Sequence, residues 1–368
     1  MSTATLAREW PAIDETPLAL ADTNGILARL AEVVFDASNP PPEEPVVFSI
    51  AGVEISHPGN ITVIEAHLKA GKSALVSAGI ASIFAPEGVD CLGWRSDANP
   101  RESAVLHFDT EQSRGDHHRL VARALTRARR STQPRCLTSY CLTGWGYAEM
   151  QAAVEAAVAG AVAKFGGVHS LWLDGAADLV QSPNDEREAF AFVRWLQSLA
   201  IAHACPVIVV LHLNPGDTGK SRGHLGSELN RKAEAVLRLT KDANEISTVT
   251  TQWTRHAPIL KRNAPCFAWS DEKGCHMAVA SAGDTKDASE LAEVGKIVAA
   301  IWSGDRKAVK KHQELVQTAA HCLEKSEATA KRKIRFMQKM NLVKKAPGGV
   351  GYVLTAEGSK CCEPDEAA

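Results

Sequence analysis

The sequence lacks the long apolar runs and the biased composition that would assign it to a membrane, fibrous or disordered class. Its most apolar stretches, 152–165 and 205–213, are interrupted by charged or polar residues and fall short of the roughly 18 uninterrupted apolar residues of a membrane helix. The first ten residues hold one basic residue, Arg8, and no apolar segment of signal-peptide type follows. We therefore expect a cytoplasmic protein.

Cysteine patterning is also absent. The nine cysteines are an odd number and include no C-x-x-C pair, which argues against a disulfide framework and against a zinc ribbon. Cys361 and Cys362 are adjacent, and an incidental pair is preferred to a metal or redox site. Charged residues at 23% and hydrophobic residues at 45% are ordinary for a folded chain, so the 368 residues predict two or three domains.

Between residues 46 and 280, β-rich apolar segments alternate with helical patterns, which is typical of βαβ units and a mostly parallel sheet. The predicted strands are 61–66, 104–109, 170–174 and 207–213, with weaker ones at 235–239 and 247–253. The predicted helices are near 73–84, 115–130, 148–165 and 188–204. The pattern predicts one α/β domain over 46–280.

The flanking segments differ from this domain in composition. Residues 1–45 predict an arm with one amphipathic helix, Thr23 to Phe35, and a proline-rich spacer. A linker is predicted over 281–288 and an acidic tail over 359–368. Residues 286–360 hold 15 Lys and Arg against 8 Asp and Glu, a net of +7 that leaves −9 for the rest of a chain totalling −2. A basic module on an acidic body favours a polyanionic partner.

The strand predicted to end at Ala66 runs into a phosphate-loop pattern. Residues 66–73 match G-x-x-x-x-G-K-[ST], except that alanine replaces the first glycine, which is tolerable only where no positive φ is needed. Lys72 would contact the β- and γ-phosphates of a nucleotide and Ser73 would ligate Mg²⁺. An ordinary helix start is the alternative. The predicted nucleotide-binding residues are Ala66, His67, Leu68, Lys69, Ala70, Gly71, Lys72, Ser73 and Ala74.

Two further predicted strands end in carboxylates. Leu171-Trp-Leu-Asp174 has the form of a Walker B element, in which Asp174 would hold the Mg²⁺ water shell. A turn or capping aspartate is the alternative. Leu106-His-Phe-Asp-Thr-Glu111 delivers Glu111, which would polarise the attacking water, with a first-turn glutamate as the alternative.

These motifs occur in a fixed order with Val209-Val-Leu-His-Leu-Asn214, Arg222-Gly-His-Leu-Gly-Ser-Glu-Leu229 and Ala233-Glu-Ala-Val-Leu-Arg-Leu239. Over about residues 46–280, the set resembles the RecA-like P-loop ATPases of the RepA-helicase type, AAA-family proteins carried by plasmids, phages and integrated mobile elements. The resemblance implies a RecA-like core, ATP hydrolysis with Mg²⁺, a ring or filament, and single-stranded DNA beside the later loops.

The same resemblance implies three further roles. His212 would be a polar sensor of the γ-phosphate. An equal alternative is a histidine at a strand end whose ring only completes local hydrogen bonds. The glycine-rich loop 214–227 would face DNA through Lys220 and Arg222, although a mobile surface loop is the alternative. Arg255 would be an arginine finger that reaches a neighbour's γ-phosphate, and Lys261 and Arg262 compete for that role.

Residues 289–358 predict a small C-terminal domain. Helical patterns at 289–302, 307–323 and 326–340 precede a strand, a Pro-Gly-Gly turn and a second strand within 342–355. This order resembles the winged helices of bacterial regulators, which implies duplex DNA binding; a winged helix for protein contact is the alternative. The predicted DNA contacts are Lys331, Arg332, Lys333, Arg335, Lys344 and Lys345.

Together these inferences predict a RecA-fold ATPase, hexameric in its active form, that binds ATP, Mg²⁺ and DNA. A replicative helicase of a mobile element is the favoured role. The first alternative is an ATP-switched DNA-binding regulator, or a partition- or repair-type assembly factor, without unwinding activity. A small-molecule P-loop kinase is disfavoured by the loop after His212 and by the basic C-terminal module.

Overall fold

The computed structural model describes residues 23–214, 223–280, 293–302 and 304–362. The chain divides into two compact units, the first up to Val279 and the second from Ala280. In the described ranges, we find no helix with the length and apolar character needed to cross a membrane.

The first unit contains six described helices and twelve strands. The helices are α1 (Thr23–Val33), α2 (Lys72–Ser82), α3 (Arg114–Arg127), α4 (Tyr147–Phe165), α5 (Glu186–Ala202) and α6 (Gly223–Lys232), with 3₁₀ turns at Ala176–Leu179 and Lys261–Asn263. The strands are β1 (Phe48–Ile50), β2 (Val53–Ser56), β3 (Ile61–Ala66), β4 (Trp94–Ser96), β5 (Ala104–Asp109), β6 (Leu137–Cys141), β7 (Val168–Asp174), β8 (Val207–His212), β9 (Ala235–Lys241), β10 (Ser247–Thr254), β11 (Cys266–Ser270) and β12 (Cys275–Val279).

Nine of these strands form one sheet in the order β12-β11-β10-β9-β3-β8-β7-β5-β6. The strands from β9 to β6 are mutually parallel, whereas β10, β11 and β12 extend the sheet by antiparallel pairing. A separate three-stranded sheet has the order β2-β1-β4. The architecture is therefore α/β, with a large mixed and mostly parallel central sheet that is consistent with a P-loop NTPase domain.

Burial on both faces explains why the sequences of the central strands are continuous apolar runs. Every residue of β3 and of β5 is buried, because helices cover both faces of the sheet. The adjacent residues Val63 and Ile64 belong to opposite hydrophobic clusters. One cluster includes Val154 of α4 and Phe192 of α5, and the other includes Leu75 of α2.

The predicted central strands and the helices between them are present with small shifts at their ends. The short strands β1, β2 and β4, the edge strands β6 and β12, and β11 beside β12 were not predicted. The prediction of a continuous loop over 214–227 is wrong in part, because α6 begins at Gly223. Leu225 and Leu229 of α6 pack into the core, so an apolar helix face fixes this segment.

The second unit has a helical segment, α7, over 293–301, followed by α8 (His312–Leu323), α9 (Glu327–Lys339), β13 (Val343–Lys345), β14 (Tyr352–Leu354) and α10 (Ala356–Lys360). Strands β13 and β14 pair as an antiparallel hairpin. Trp302, Leu315, Ile334 and Tyr352 contribute to a separate core. The start of α8 lies at His312 rather than Lys307, and α10, which Thr355 caps, extends two residues into the predicted acidic tail.

Candidate functional site

The register of the parallel strands brings the predicted site residues to one edge of the sheet. Ala66 at the end of β3 pairs with His212 at the end of β8. Asp174 at the end of β7 pairs with Val210 of β8 on one side and with Asp109 of β5 on the other. Because ligands of open α/β sheets bind outside the carboxyl ends of the strands, this edge is the candidate site.

The backbone of the loop between β3 and α2 adopts a conformation at position 71 that requires glycine. Gly71 has φ of +97°, and a Cβ at that position would lie 2.8 Å from a ring carbon of Phe267. Lys69 also adopts a left-handed conformation, with φ of +61°. Ala66 has no positive φ and is the last residue of a strand, so alanine is accommodated there without strain.

Lys72, His212 and Glu111 form a continuous hydrogen-bonded chain across this edge. Lys72 Nζ lies 2.9 Å from His212 Nδ1, and His212 Nε2 lies 2.9 Å from Glu111 Oε1. A lysine ammonium only donates, so Nδ1 is the acceptor and Nε2 carries the proton that it donates to Glu111. Burial lowers the pKa of Lys72, while the Glu111 and Asp174 carboxylates act in the opposite direction.

Asp174 has the environment expected of a metal ligand. It is buried, and its Oδ2 has no hydrogen-bond partner among the residues that the structure describes. Burial, with the nearby Asp109 and Glu111 carboxylates, raises the pKa of Asp174 to about 8, while Lys72 acts against this shift. A carboxylate oxygen left without a partner, in a cavity that the Ser73 side chain also lines, fits Mg²⁺, which prefers hard oxygen ligands. Asp174, Ser73 and Lys72 line the same cavity of about 410 Å³.

A protein-family model described as "AAA domain" matches residues 27–217, more than half of the chain and the range that holds all of these strand ends. The chain belongs to the AAA domain family. A search of curated proteins found no match. Membership suggests a nucleotide-hydrolysing ATPase and implies nucleotide binding, typically with Mg²⁺.

The AAA domain also contains a histidine network that the sequence analysis missed. Asp109 Oδ1 accepts hydrogen bonds from the backbone amides of Glu111 and Gln112, and its Oδ2 lies 3.3 Å from His117 Nδ1. Burial opposes ionisation of Asp109, but the His117 and backbone hydrogen bonds hold its pKa below the ordinary value. The network therefore fixes the turn that presents Glu111.

His107 completes this network on the inner side. Its ring stacks on that of His117 with centroids 5.7 Å apart, and both rings contact Ser139 Oγ. Burial lowers the pKa of His107 to about 4, so this ring is neutral at physiological pH. Register places His107 opposite Ser139 on β6, a strand that the sequence pattern did not reveal.

Other cavity residues were missed because they lie on elements of ordinary composition. Gln112 Nε2 lies 3.4 Å from Ser73 Oγ, and Arg123, Arg127, Lys241 and His276 also line the cavity. The spacing of Arg123 and Arg127 places them one turn apart on α3. This spacing, on the helix that follows Glu111, was the signal in the sequence for positive charge along one wall of the cavity.

Lys69 and Ala74 also line the cavity, whereas His67, Leu68 and Arg255 do not. His67 and Leu68 are exposed on the loop. Arg255 is exposed after β10, at the opposite edge of the sheet, and its Nη2 donates to the Lys232 carbonyl across 3.2 Å. Lys220 and Arg222 lie outside the described residues.

In the second unit, five of the six predicted DNA contacts are exposed: Lys331, Arg332, Arg335, Lys344 and Lys345. The sixth predicted contact, Lys333, is not exposed. Its side chain is buried, and its ammonium pairs with the Glu293 carboxylate. Lys333 directly precedes the core residue Ile334 in α9.

Proposed function

We propose that this AAA domain protein is an ATP-hydrolysing, DNA-stimulated RecA-like motor of the RepA-helicase type that acts in the cytoplasm. The observation that carries the proposal is the chain from Lys72 through His212 to Glu111. Lys72 would contact the γ-phosphate and Glu111 would activate water. His212, which joins them, is the last residue of β8, the strand that precedes segment 215–222.

In this proposal, ATP lies against the loop 66–74 and Lys72 holds its β- and γ-phosphates. Glu111 orients a water molecule in line with the γ-phosphate and accepts its proton. Ser73 and Asp174 would hold Mg²⁺, which supplies neutralisation of the charge that develops on the phosphates. Asp109 and His117 keep Glu111 in position through the backbone of its turn.

His212 supplies the connection to DNA. When the γ-phosphate draws the Lys72 ammonium toward itself, the hydrogen bond to Nδ1 is lost and the His212 ring is free to move with the end of β8. The following segment contains Lys220 and Arg222, and α6 anchors its far end through Leu225. DNA that contacts this segment would therefore affect Glu111 through His212.

The basic second unit is proposed to be a winged helix that binds duplex DNA. Its three helices precede the β13–β14 hairpin, and exposed cations follow one side of α9 and the first hairpin strand. Such cations hold phosphates while the helix contacts base edges in the major groove.

Assembly into a hexameric ring is the remaining part of the proposal. Arg255 is exposed at the edge of the sheet opposite to the cavity, so it is available to the cavity of a neighbouring subunit rather than to its own. An arginine supplied in trans would make hydrolysis depend on assembly.

The deciding experiment measures steady-state ATP turnover of the full chain with and without single-stranded DNA. We expect Mg²⁺-dependent turnover that DNA increases, and loss of turnover in Lys72→Ala. Lys164→Ala, which removes an exposed lysine on α4, is the matched control. Absence of turnover in the wild-type chain would refute the enzymatic proposal. A forked duplex tests the motor: turnover without strand separation would favour the ATP-switched regulator.

A further inference from the structure

A second cluster of ionisable side chains lies at the edge of the sheet opposite to the nucleotide cavity. His57 follows β2 and precedes β3, Glu234 joins α6 to β9, and His256 follows β10. The Glu234 amide donates to the Ile61 carbonyl and the Arg255 amide donates to the Glu234 carbonyl, both by backbone hydrogen bonds. Main-chain pairing thus holds three separate segments around one point.

One imidazole nitrogen of each histidine contacts the same carboxylate oxygen of Glu234. Glu234 Oε1 contacts His57 Nδ1 and lies 2.8 Å from His256 Nε2. The three atoms lie within 4.8 Å of one another. Glu234 is 3% exposed and its second oxygen accepts the His57 amide at 3.0 Å, so the carboxylate has little freedom to turn away.

The local charge favours a cation. Across 23–214 and 223–280, the ion pairs of Glu234 are with the two histidines and with no lysine or arginine. Glu43, Glu44 and Glu54 line the same cleft. Arg255 lines it too, but its guanidinium donates to the Lys232 carbonyl.

The other nitrogen of each imidazole faces a second carboxylate. Glu54 Oε2 lies 4.0 Å from His57 Nε2 and 4.0 Å from His256 Nδ1. Histidines that bind a metal through one nitrogen usually donate the other N–H to a carboxylate, a carbonyl or water, which fixes the tautomer. Neither distance is short enough for a hydrogen bond, so Glu54 supplies negative charge beside both rings, and a small shift of its exposed side chain would let it accept an N–H from one of them.

We infer that His57, Glu234 and His256 form a binding site for a divalent transition metal such as Zn²⁺. The ligands are His57 Nδ1, Glu234 Oε1 and His256 Nε2, with Glu54 as the outer carboxylate and water in the fourth position. Two imidazoles and one carboxylate are a ligand set for Zn²⁺. Mg²⁺ prefers oxygen ligands, so this site does not compete for the cation expected at Asp174.

Metal binding at this place would stabilise the first unit. The site would join the turn between β2 and β3, the start of β9 and the end of β10. Since a metal that binds the native site stabilises the folded state by mass action, the melting temperature should rise with Zn²⁺ concentration.

The test uses the full chain after chelator treatment and dialysis. Zn²⁺ bound per chain is measured by elemental analysis after gel filtration, its affinity by competition with a chromophoric chelator, and geometry by the visible absorption of bound Co²⁺. We expect one Zn²⁺ per chain. His57→Ala and His256→Ala should weaken binding by at least a hundredfold, and Glu54→Gln by about tenfold.

Matched controls separate this site from other zinc ligands. His118→Ala removes an exposed histidine of α3, and Cys361→Ser with Cys362→Ser removes the adjacent cysteines; both should bind Zn²⁺ as the wild type does. Asp174→Asn should also retain Zn²⁺. If circular dichroism shows that His57→Ala does not fold, the variants at the exposed positions Glu54 and His256 are used to test the site instead. No retained Zn²⁺ in the wild type, or wild-type affinity in His256→Ala, overturns the proposal.

Discussion

Lys72 Nζ and His212 Nδ1 lie 2.9 Å apart, although the two residues are separated by 140 positions in the sequence. The contact exists because β3 and β8 are parallel neighbours in a register that pairs Ala66 with His212. The buried lysine of the phosphate loop is therefore held by the last residue of the adjacent strand. A displacement of the end of β8 would therefore disturb this contact of the ammonium group.

Replacing His212 by alanine should uncouple hydrolysis from DNA. The substitution removes the link between Lys72 and Glu111 but leaves the loop backbone and Asp174 in place. We expect nucleotide affinity within about threefold of wild type and a loss of DNA-stimulated turnover of about tenfold to a hundredfold. Binding of a fluorescent ATP analogue and turnover with saturating single-stranded DNA measure the two effects. Unchanged stimulation by DNA would show that His212 does not carry the coupling.

Asp174→Asn should stabilise the metal-free chain at high pH while abolishing Mg²⁺-dependent turnover. An aspartate ionises near 3.8 when unfolded, whereas burial and neighbouring carboxylates raise the pKa of Asp174 to about 8. Between these values the folded chain holds a proton that the unfolded chain has released. The associated stability is lost as pH rises through this window, and above it the buried charge is destabilising.

Thermal unfolding in chelating buffer at pH 5 and pH 9 tests this effect. Near pH 5 the variant should melt higher than the wild type by less than half of the difference at pH 9, because the carboxyl group is neutral in the folded wild type and is ionised only in the unfolded chain. At pH 9 the variant should melt higher, by roughly 2 to 4 °C for each kcal/mol of relieved charge. An equal difference at both values would contradict a raised pKa at Asp174.

Gly71→Ala tests the closeness of the loop to β11. Gly71 (φ +97°) and Gly88 (φ +78°) both have left-handed backbones, so alanine costs about 1 to 2 kcal/mol at either position. A Cβ at position 71 would also collide with Phe267, whereas one at 88 has no atom within 4 Å. We expect Gly88→Ala to retain nucleotide binding and Gly71→Ala to lose it. Equal effects on the melting temperature and on binding would show that the collision is relieved without moving the loop.

The candidate site could be predicted from the sequence because most of its residues lie at or next to the end of a strand. Apolar runs ending in Ala66, Asp109, Asp174 and His212 are visible as a one-dimensional pattern, and parallel strands necessarily place such ends at one edge. What the pattern could not supply was the order of the strands. The hydrogen bond between His212 and Glu111 depends on β8, β7 and β5 being successive neighbours, which is a property of the whole sheet.

Features that depend on contacts distant in sequence were not predicted. His117 appeared to be one polar residue of an amphipathic helix, and only the position of β6 brings it together with His107 and Ser139. His57 and His256 share Glu234 because β3, β9 and β10 are adjacent, and the spacing of these residues in sequence gives no sign of it. The short strands of the β2-β1-β4 sheet have too few residues for their alternation to be recognised.

When duplex DNA binding is measured as a function of salt, substitution of an exposed cation of α9 should change the salt dependence, and substitution of the buried one should not. Arg335 is exposed, so Arg335→Ala should weaken binding to duplex DNA and lower the slope of log affinity against log salt by about 1. Lys333 is buried and paired with Glu293, so Lys333→Met, which keeps the apolar stem, should leave that slope unchanged. Its effect should appear in thermal unfolding of the second unit instead. A reduced slope for Lys333→Met would mean that its ammonium leaves Glu293 to contact a phosphate, and an unchanged slope for Arg335→Ala would remove α9 from the proposed DNA interface.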